Sequence, residues 1–400
     1  MTTQDKLILK ELGITKVDIY FQPIVSVKKK KIFGYEALLR GYKDDIYIPP
    51  NILFEEAQIA GLALELDTIS RIESIKKFKS YYKLDNKVLL FLNFESSSIN
   101  NTFKSDQYSF ENILIKLNIP PKNIVLEVKE DEVESTKALE DFSTYYKNRG
   151  FNIAVDDFGT GDSQFDRLSI VKPDIVKIDK SLLRDIDSNN INAEILKAIA
   201  NMCHNIGAIA LSEGVENESE VLKSLNFGID LFQGYLFAHP SINEADYKNV
   251  ISKIQSLGNK HKEYLERIIK IKDDLVSEAS NISEKIISII SKTQDKRHKD
   301  IISILEEEQK VEALYFINSN DSKQIGETTL LTEQRGFYEP SVHGDNHSLK
   351  EYYYICKNSK DGKYISQKYI SNASGNICRT YSKRFLNNSN EIILCLDLCL

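Results

Sequence analysis

The stretch Ile153-Ala154-Val155-Asp156-Asp157 is a short apolar run that ends in two adjacent carboxylates. Similar runs recur through about the first 240 residues, with helical patterns such as Ser135–Lys147 and Ile191–Ile206 between most of them. They are Val88–Phe94, Ile124–Val128, Ile175–Ile178, Ala208–Leu211 and Leu231–Phe237. Continuous apolar strands that alternate with helices are typical of a parallel sheet in an α/β protein. About eight strands in this length favour a closed β/α barrel over an open sheet, although the pattern alone leaves closure undecided.

The segment before this repeat predicts a hairpin and then a helix. Ile19–Val25 and Ile32–Leu39 are strand-like and flank the turn-like Lys28-Lys29-Lys30. Apolar residues at helical spacing predict a helix within Asn51–Lys79. We therefore expect an N-terminal barrel domain over residues 1–245.

The composition is that of a globular protein, with 42% hydrophobic and 28% charged residues. A net charge of −7 disfavours binding to DNA or RNA polymers, because such binding rests on many contacts between basic side chains and phosphates. A local pocket for a single anionic nucleotide is compatible with this charge. We expect no membrane span and a cytoplasmic protein, because the sequence has neither an apolar run of about 18 residues nor a signal-peptide pattern.

Residues 246–312 predict a long helical connector. Apolar residues from Leu265 to Ile289 recur at steps near three and four, which is typical of a helix that packs on a neighbouring domain. A dimeric coiled coil is the alternative interpretation. A second helix is predicted over Ile301–Glu312.

Residues 313–400 predict a separate α+β domain that the long helix joins to the barrel. Its expected strands are Leu314–Ile317, Tyr352–Cys356, Tyr364–Gln367 and Ile392–Leu398. The segment Tyr369-Ile370-Ser371-Asn372-Ala373-Ser374-Gly375 resembles part of the PAS/Cache class of ligand-sensing domains. That resemblance implies an unidentified small ligand near Tyr369–Arg379.

Polar side chains end the predicted barrel strands, and such strand ends converge on one face of a β/α barrel. They are Glu36, Asn93, Glu127, Asp156, Asp157, Lys177 and Glu213. Converging carboxylates would repel each other without a cation, and carboxylate and amide oxygens suit Mg²⁺ or Mn²⁺. A lysine among them could hold a water or a phosphate oxygen, which points to metal-assisted phosphodiester hydrolysis. The alternative is a set of scattered surface acids, which polar residues at six successive strand ends, with a lysine among them, disfavour.

An ordered series of motifs supports this interpretation. They are Tyr20-Phe21-Gln22-Pro23-Ile24-Val25, Glu36-Ala37-Leu38-Leu39-Arg40, Asp156-Asp157-Phe158-Gly159-Thr160-Gly161, Lys177-Ile178-Asp179, Glu213-Gly214-Val215-Glu216 and Gln233-Gly234-Tyr235-Leu236-Phe237. The series resembles the EAL-domain phosphodiesterases of bacterial cyclic di-GMP signalling over roughly residues 16–245. The resemblance implies an α/β fold, a (β/α)8 barrel with an antiparallel first strand, two Mg²⁺ or Mn²⁺ ions and hydrolysis of cyclic di-GMP to linear pGpG.

The resemblance also implies a role for each motif residue. The expected metal ligands are Glu36, Asn93, Glu127 and Asp156 for the first ion, and Asp156 and Asp157 for the second. The expected catalytic residues are Lys177, which orients the nucleophilic water, together with Glu213 and Glu36. The expected substrate-binding residues are Gln22, Leu39, Arg40, Asp179, Glu216 and Gln233. Loop support is expected from Glu130, Gly159 and Gly161.

Departures from the family pattern leave other functions open. Lys129 stands where a small hydroxyl residue is usual and places a cation beside structural carboxylates. The layout of an EAL barrel, a long helical connector and a C-terminal PAS-like domain resembles one type of EAL protein, and it raises the second hypothesis of a cyclic di-GMP receptor without useful turnover. An unrelated metal-dependent barrel enzyme is the third hypothesis. The family also implies a homodimer that associates near the Asp156–Gly161 loop, with the C-terminal domain modulating the barrel.

Overall fold

The computed structural model describes the chain except residues 97, 98, 100–102, 130–132, 134, 160–164, 185, 187, 188, 244–246, 293–296, 309 and 400, and except the side chains of residues 103–109, 292 and 297–299. The chain divides into two compact units, Met1–Glu263 and Tyr264–Leu400.

The first unit is built on a barrel of eight strands, with one further strand outside the ring. These strands are β1 Lys16–Ser26, β2 Lys31–Lys43, β3 Ile46–Ile48, β4 Leu89–Asn93, β5 Ile124–Val128, β6 Asn152–Phe158, β7 Ile175–Ile178, β8 Ile209–Ser212 and β9 Leu231–Phe232. The strand order is β1-β9-β8-β7-β6-β5-β4-β2-β3, and an additional β1–β2 pairing closes the ring, with β3 paired to β2 outside it. Because β1 is antiparallel to both of its neighbours while β2 and β4 to β9 run parallel, the predicted closed barrel with an antiparallel first strand is confirmed.

Helices cover the outside of this barrel. They are α1 Thr3–Glu11, α2 Pro50–Ile59, α3 Ala63–Leu84, α4 Phe103–Leu117, α5 Thr136–Lys147, α6 Phe165–Val171, α7 Asn190–Asn205 and α8 Glu218–Phe227. The predicted helical segment Asn51–Lys79 consists of two helices, α2 and α3, which are separated at Gly61, whose φ of 71° lies outside the helical range. One apolar layer fills the barrel interior, including Phe91, Val125 and Leu211, and a second lies between strands and helices.

The last barrel strand is shorter than the predicted Leu231–Phe237. After Phe232 the chain turns, and the backbone of Gly234 passes so close to the next loop that a Cβ would lie 2.1 Å from the Val215 carbonyl oxygen. Val215 N–H donates to the Gln233 carbonyl at 3.0 Å, and Leu236 N–H donates to the Val215 carbonyl at 3.1 Å. This close approach presents Gln233 at the carboxyl end of the strands.

A long helix, α9 Val250–Lys292, belongs to both units. Its first turns carry Val250, Ile254 and Leu257, which are buried in the core of the first unit. Further along, Ala279, Ile282 and Ile286 are buried in the core of the second unit. Although α9 is long, neither it nor any other helix in the described part of the chain is apolar enough to cross a membrane.

The second unit contains an antiparallel sheet with helices on both faces. Its further elements are α10 Arg297–Glu307, β10 Val311–Asn318, β11 Gln324–Leu330, α11 Glu351–Asn358, β12 Lys363–Ile365, β13 Tyr369–Ile370, β14 Ile377–Asn387 and β15 Asn390–Cys399. The strand order is β11-β10-β15-β14-β12, with β13 paired to β14. One sheet face packs on α9 and α10, and the opposite face packs on α11.

Two secondary-structure predictions in this unit are wrong. Tyr352–Cys356 lies in helix α11 rather than in a strand, because Tyr352, Tyr353 and Cys356 share one helical face that is buried against the sheet. Glu312 lies in β10 rather than at the end of a helix. The separate α+β unit itself is confirmed, whereas its PAS/Cache character and the division of the chain at 245 and 312 stay predictions.

Candidate active site

The carboxyl ends of the parallel strands place Asn93, Glu127, Asp156 and Lys177 at one edge of the barrel. Side chains of consecutive strand residues normally point to opposite faces. At Asp156 and Asp157 the pairing of β6 with β7 shifts register between Val155 and Phe158, and Asp157 has a φ of 53°. This local irregularity lets two adjacent carboxylates serve the same site.

A buried ammonium group occupies the centre of the carboxylates. Lys177 Nζ lies 2.7 Å from Glu127 Oε1, 2.8 Å from Asp156 Oδ1 and 2.7 Å from Glu213 Oε1. Glu36 Oε1 is farther away, at 3.8 Å. The Lys177 side chain is only 2% exposed, so these contacts are screened little by solvent.

Burial dominates the electrostatics of this cluster. It raises the pKa of Glu127 well above its usual range and the pKa of Glu213 to about 8, in both cases against the opposing attraction of Lys177. Burial alone would lower the pKa of Lys177, but the surrounding carboxylates, led by Asp156, outweigh it and raise that pKa well above its usual range. Lys177 therefore carries its positive charge at neutral pH. The raised pKa values of Glu127 and Glu213 mean that one ammonium does not fully stabilise the surrounding negative charge.

Amide side chains complete the wall next to this cluster. Gln233 Nε2 donates to Glu36 Oε2 at 2.5 Å and to Gln22 Oε1 at 3.1 Å. Gln22 Nε2 in turn donates to the Ala238 carbonyl at 3.1 Å. Asn93 Nδ2 donates to Glu36 Oε1 at 3.2 Å. Glu36 is thus held from two sides.

Two cavities meet at Glu36 and Leu38. The larger, of about 930 Å³, is lined by Arg40, Asp67, Asn93, Glu127, Lys129, Asp156 and Asp157, among others. The smaller, of about 240 Å³, is lined by Gln22, Lys180, Glu213, Glu216, Gln233 and Tyr235, among others. An elongated anionic ligand could therefore extend across both sides of the carboxylate cluster.

The donor set fits divalent cations. Oxygen atoms of Asp156, Asp157 and Glu213 lie within 4.8 Å of one another. The buried Oε2 of Glu127 and Oε1 of Gln233 face no hydrogen-bond donor among the described residues, although buried acceptors are normally paired. Four carboxylates around one lysine also leave a net negative centre, which hard cations with oxygen preference would neutralise.

Three further predicted substrate-binding residues, Arg40, Leu39 and Asp179, lie at different places around the cavities. The Arg40 guanidinium lies 5.4 Å from the Tyr20 ring centroid and donates to the Leu39 carbonyl at 2.9 Å. Leu39 is buried in the apolar core and also lines the larger cavity, whereas its neighbour Leu38 lines both cavities. The Asp179 carboxylate caps a short 3₁₀ turn by accepting from Ser181 N–H at 2.7 Å, and it lines neither cavity.

The loop predicted to support the second metal is only partly described. Gly159 has a φ of 103°, and a Cβ there would lie 2.6 Å from Leu182 Cδ1, so only glycine fits. Glu130 and Gly161 lie outside the described residues.

Some cavity residues had no sequence-based assignment. Asp67, Lys180 and Tyr235 line the cavities, and Tyr235 is 57% exposed and stacks on His239. Tyr235 lies in the motif Gln233-Gly234-Tyr235-Leu236-Phe237, and this position is a sequence signal for a role in ligand binding. Asp67 lies mid-helix in α3, where helical periodicity carries no signal for a site.

Comparison with known proteins places this site in a family. The model of the EAL domain matches residues 8–240. PdeA of Borreliella burgdorferi, named a cyclic di-GMP phosphodiesterase, is 27% identical over 235 residues, which are 58% of this chain and 35% of PdeA. YkuI of Bacillus subtilis, named an EAL-domain containing protein, is 24% identical over 377 residues, which are 91% of this chain and 90% of YkuI.

Solved structures agree with the fold. YkuI in complex with its substrate cyclic di-GMP and calcium matches 100% of both chains, with a TM-score of 0.82 and 22% identity. The manganese and cyclic di-GMP complex of BlrP1 from Klebsiella pneumoniae matches 56% of each chain, with a TM-score of 0.51 and 27% identity. This chain spans about a third of the length of PdeA but nearly all of YkuI. Because the family model covers more than half of the sequence, the chain belongs to the EAL domain family.

Proposed function

We propose that the chain hydrolyses cyclic di-GMP to linear pGpG in bacterial second-messenger signalling. The observation that carries the proposal is the buried Lys177 ammonium, held by Glu127, Asp156 and Glu213 at the border of a large cavity. The name of PdeA and the nucleotide complexes of YkuI and BlrP1 support the choice of substrate.

The proposed cofactors are two Mg²⁺ or Mn²⁺ ions. Glu36, Asn93, Glu127 and Asp156 would hold the first, and Asp156 with Asp157 would hold the second. When bound, such ions polarise phosphodiester oxygens and lower the pKa of a bound water. The calcium in the YkuI complex and the manganese in the BlrP1 complex support a divalent-cation site.

The chain's own residues would position the reactants. Lys177 and Glu213 would orient the nucleophilic water. Its oxygen would form a new bond to phosphorus while one P–O bond of the ring breaks, and the proton that the water loses would end on the released ribose oxygen. Arg40, on the wall of the larger cavity, suits pairing with a phosphate. Gln22, Glu216 and Gln233 would contact the nucleotide from the smaller cavity and Leu39 from the larger one, whereas Asp179 would act indirectly.

A second function, a cyclic di-GMP receptor without useful turnover, is favoured by one observation. Lys129 Nζ lies 2.6 Å from Asp157 Oδ2, so a proposed ligand of the second ion already has a cationic partner. Metal-dependent release of pGpG separates enzyme from receptor.

One assay tests the proposed function. The full chain is incubated with cyclic di-GMP and Mg²⁺, Mn²⁺, Ca²⁺ or EDTA, and products are separated by chromatography while nucleotide binding is measured in parallel. We expect pGpG with Mg²⁺ and Mn²⁺ and little with Ca²⁺, which is larger and tolerates looser geometry. Nucleotide binding without pGpG under every condition would replace the enzyme with the receptor.

We further propose a homodimer in which the second unit modulates the barrel through a small ligand. The cavity near Tyr369, lined also by Tyr315, His347 and Asp397, measures about 20 Å³, which is room for about one water, so ligand binding there would require rearrangement. Light scattering of the full chain tests the dimer, and a monomeric mass would exclude it.

A truncation tests the coupling between the second unit and the barrel. It has to end at Glu263, because Val250 to Leu257 contribute to the core of the first unit. Unchanged rate and metal dependence in this truncation would remove the regulatory role.

A further inference from the structure

Lys129 and Asp157 form an ion pair inside the candidate active site. Lys129 directly follows β5 and Asp157 lies in β6, and these neighbouring parallel strands pair Val128 with Val155. This register brings Lys129 Nζ to 2.6 Å from Asp157 Oδ2. Both residues line the larger cavity together with Asp156. The pair therefore lies where the proposed second cation would bind.

The adjacent carboxylates of Asp156 and Asp157 have different cationic partners. Asp156 Oδ1 is 2.8 Å from Lys177, whose side chain is 2% exposed and is held by several carboxylates. The Lys129 and Asp157 side chains are 41% and 37% exposed. An ion pair as exposed as this one is worth little, so Lys129 is displaced from Asp157 more easily than the buried Lys177 is from its carboxylates.

A divalent cation and Lys129 would compete for the same oxygen atoms. Asp157 contributes to the group of oxygens, with Asp156 and Glu213, that lie within 4.8 Å of one another. An ammonium 2.6 Å from Asp157 Oδ2 occupies the approach to that oxygen and repels an incoming dication. Lys177 lies near the ligands of the first site in the same way, but four carboxylates surround that one ammonium. Lys129 adds a second ammonium to the fewer ligands of the second site, which therefore carries less negative charge.

We propose that the Lys129 ammonium is an internal competitor for the second divalent cation. The second ion then binds more weakly than the first, and turnover rises only at metal concentrations above those that support nucleotide binding. The inference rests on the two-ion site of the proposed function. Metal concentration would then control the rate of hydrolysis more strongly than it controls the binding of the nucleotide.

Charge-selective substitutions test the competition in the full chain, with Mn²⁺ alone as the probe. Lys129→Gln removes the charge and keeps much of the length, while Lys129→Arg keeps the charge. Lys122→Gln is a matched control, because Lys122 is an exposed lysine in the turn that precedes the same strand. Free Mn²⁺ is followed by electron paramagnetic resonance, without nucleotide, and a thermal melt confirms that each variant folds.

We expect Lys129→Gln to tighten the weaker Mn²⁺ site on the order of tenfold, through loss of one nearby like charge, and to leave the tighter site unchanged. Lys129→Arg and Lys122→Gln should resemble the unaltered protein. In an Asp157→Asn background the effect of Lys129→Gln should disappear, because the shared ligand is gone. Identical Mn²⁺ isotherms for Lys129→Gln and the unaltered protein would overturn the proposal.

The outcome is separable from that of the proposed function. If no variant releases pGpG but Lys129→Gln still tightens the weaker site, the competition stands and hydrolysis fails. If the unaltered protein hydrolyses cyclic di-GMP and Lys129→Gln changes neither Mn²⁺ affinity nor the metal concentration needed for turnover, hydrolysis stands and the competition fails.

Discussion

Gln233 Nε2 donates a hydrogen bond of 2.5 Å to Glu36 Oε2, although 197 residues separate the two in sequence. The bond joins the end of the last barrel strand to the second strand. Because Glu36 also accepts from Asn93, its carboxylate is oriented before any ligand arrives. Outer partners of this kind fix the direction of a metal ligand.

Loss of the Gln233 amide should therefore impair turnover more than folding. We expect Gln233→Ala to lower kcat by about 10- to 100-fold, in line with typical losses of groups that orient metal ligands, while changing the melting temperature little. Steady-state rates and thermal melts measure the two effects. Gln255→Ala removes an exposed glutamine from α9 as the control. Equal rates for Gln233→Ala and this control would contradict the orienting role.

Removal of the Lys177 ammonium should make the protein depend on metal for stability. Lys177→Met leaves Glu127, Asp156 and Glu213 without their shared cation, and breaking a buried pair typically costs about 3–5 kcal/mol. We expect a lower melting temperature in EDTA, a larger stabilisation by Mn²⁺ than in the unaltered protein, and loss of pGpG formation.

Metal-dependent nucleotide binding should persist in Lys177→Met, whereas Glu36→Ala and Asp156→Ala should weaken it because they remove proposed metal ligands. Lys28→Met is the control for melting, since the Lys28–Asp230 pair is partly exposed and worth less than about 1 kcal/mol. Equal loss of nucleotide binding in all three site variants would contradict the separate roles.

The exposed Tyr235 ring is suited to stack a guanine base at the smaller cavity. Its ring lies 4.0 Å from that of His239, which supports it from one side. Because stacking is worth about 1–3 kcal/mol per base, Tyr235→Ala should weaken cyclic di-GMP binding roughly 5- to 150-fold, and Tyr235→Phe should restore most of it. Calorimetric titration with Ca²⁺ present measures the affinity. A Tyr354→Ala variant, which removes an exposed tyrosine from the second unit, should bind normally. Unaltered binding by Tyr235→Ala would exclude the stack.

Acid should destabilise the second unit through His347. Burial lowers the pKa of His347 to about 4, and its ring nitrogens lie 3.0 Å from the Tyr352 hydroxyl and 3.1 Å from Gln324 Oε1. As the pH falls below about 6.5, the unfolded chain takes up a proton that the folded chain refuses, so folding loses up to about 3 kcal/mol by pH 4. Burial raises the pKa of Asp397, which acts in the opposite direction at the acid end of this range.

Comparison with His347→Gln isolates the histidine contribution. Hydrogen exchange of peptides from β10 and β15 should become faster between pH 6.5 and 4 in the unaltered protein after correction for the intrinsic exchange rate. The variant should be less stable at pH 7 and show a weaker loss of protection. The same pH dependence in both proteins would show that His347 does not titrate with unfolding.

Some strands could be predicted from the local sequence because burial of apolar side chains alone decides their conformation. Ile124–Val128 and Ile175–Ile178 are buried strands whose observed limits equal the predicted ones, since a run that is apolar on both faces fits the centre of a parallel barrel. The predicted strand at Tyr352–Cys356 is wrong because a short apolar run fits a strand or a helical turn equally well. Packing against β10 and β15 selects the helix, because it buries Tyr352, Tyr353 and Cys356 on one helical face.

The sequence by itself determined the β/α repeat, the family and the chemical types that end the strands, because burial periodicity and motif order are local properties. Only the tertiary structure decided how those groups meet. The register shift at Asp157, the placement of Lys177 between three carboxylates and the Lys129–Asp157 pair all depend on neighbouring strands. Their distances follow from barrel closure and strand register, which bring together residues that the sequence keeps far apart.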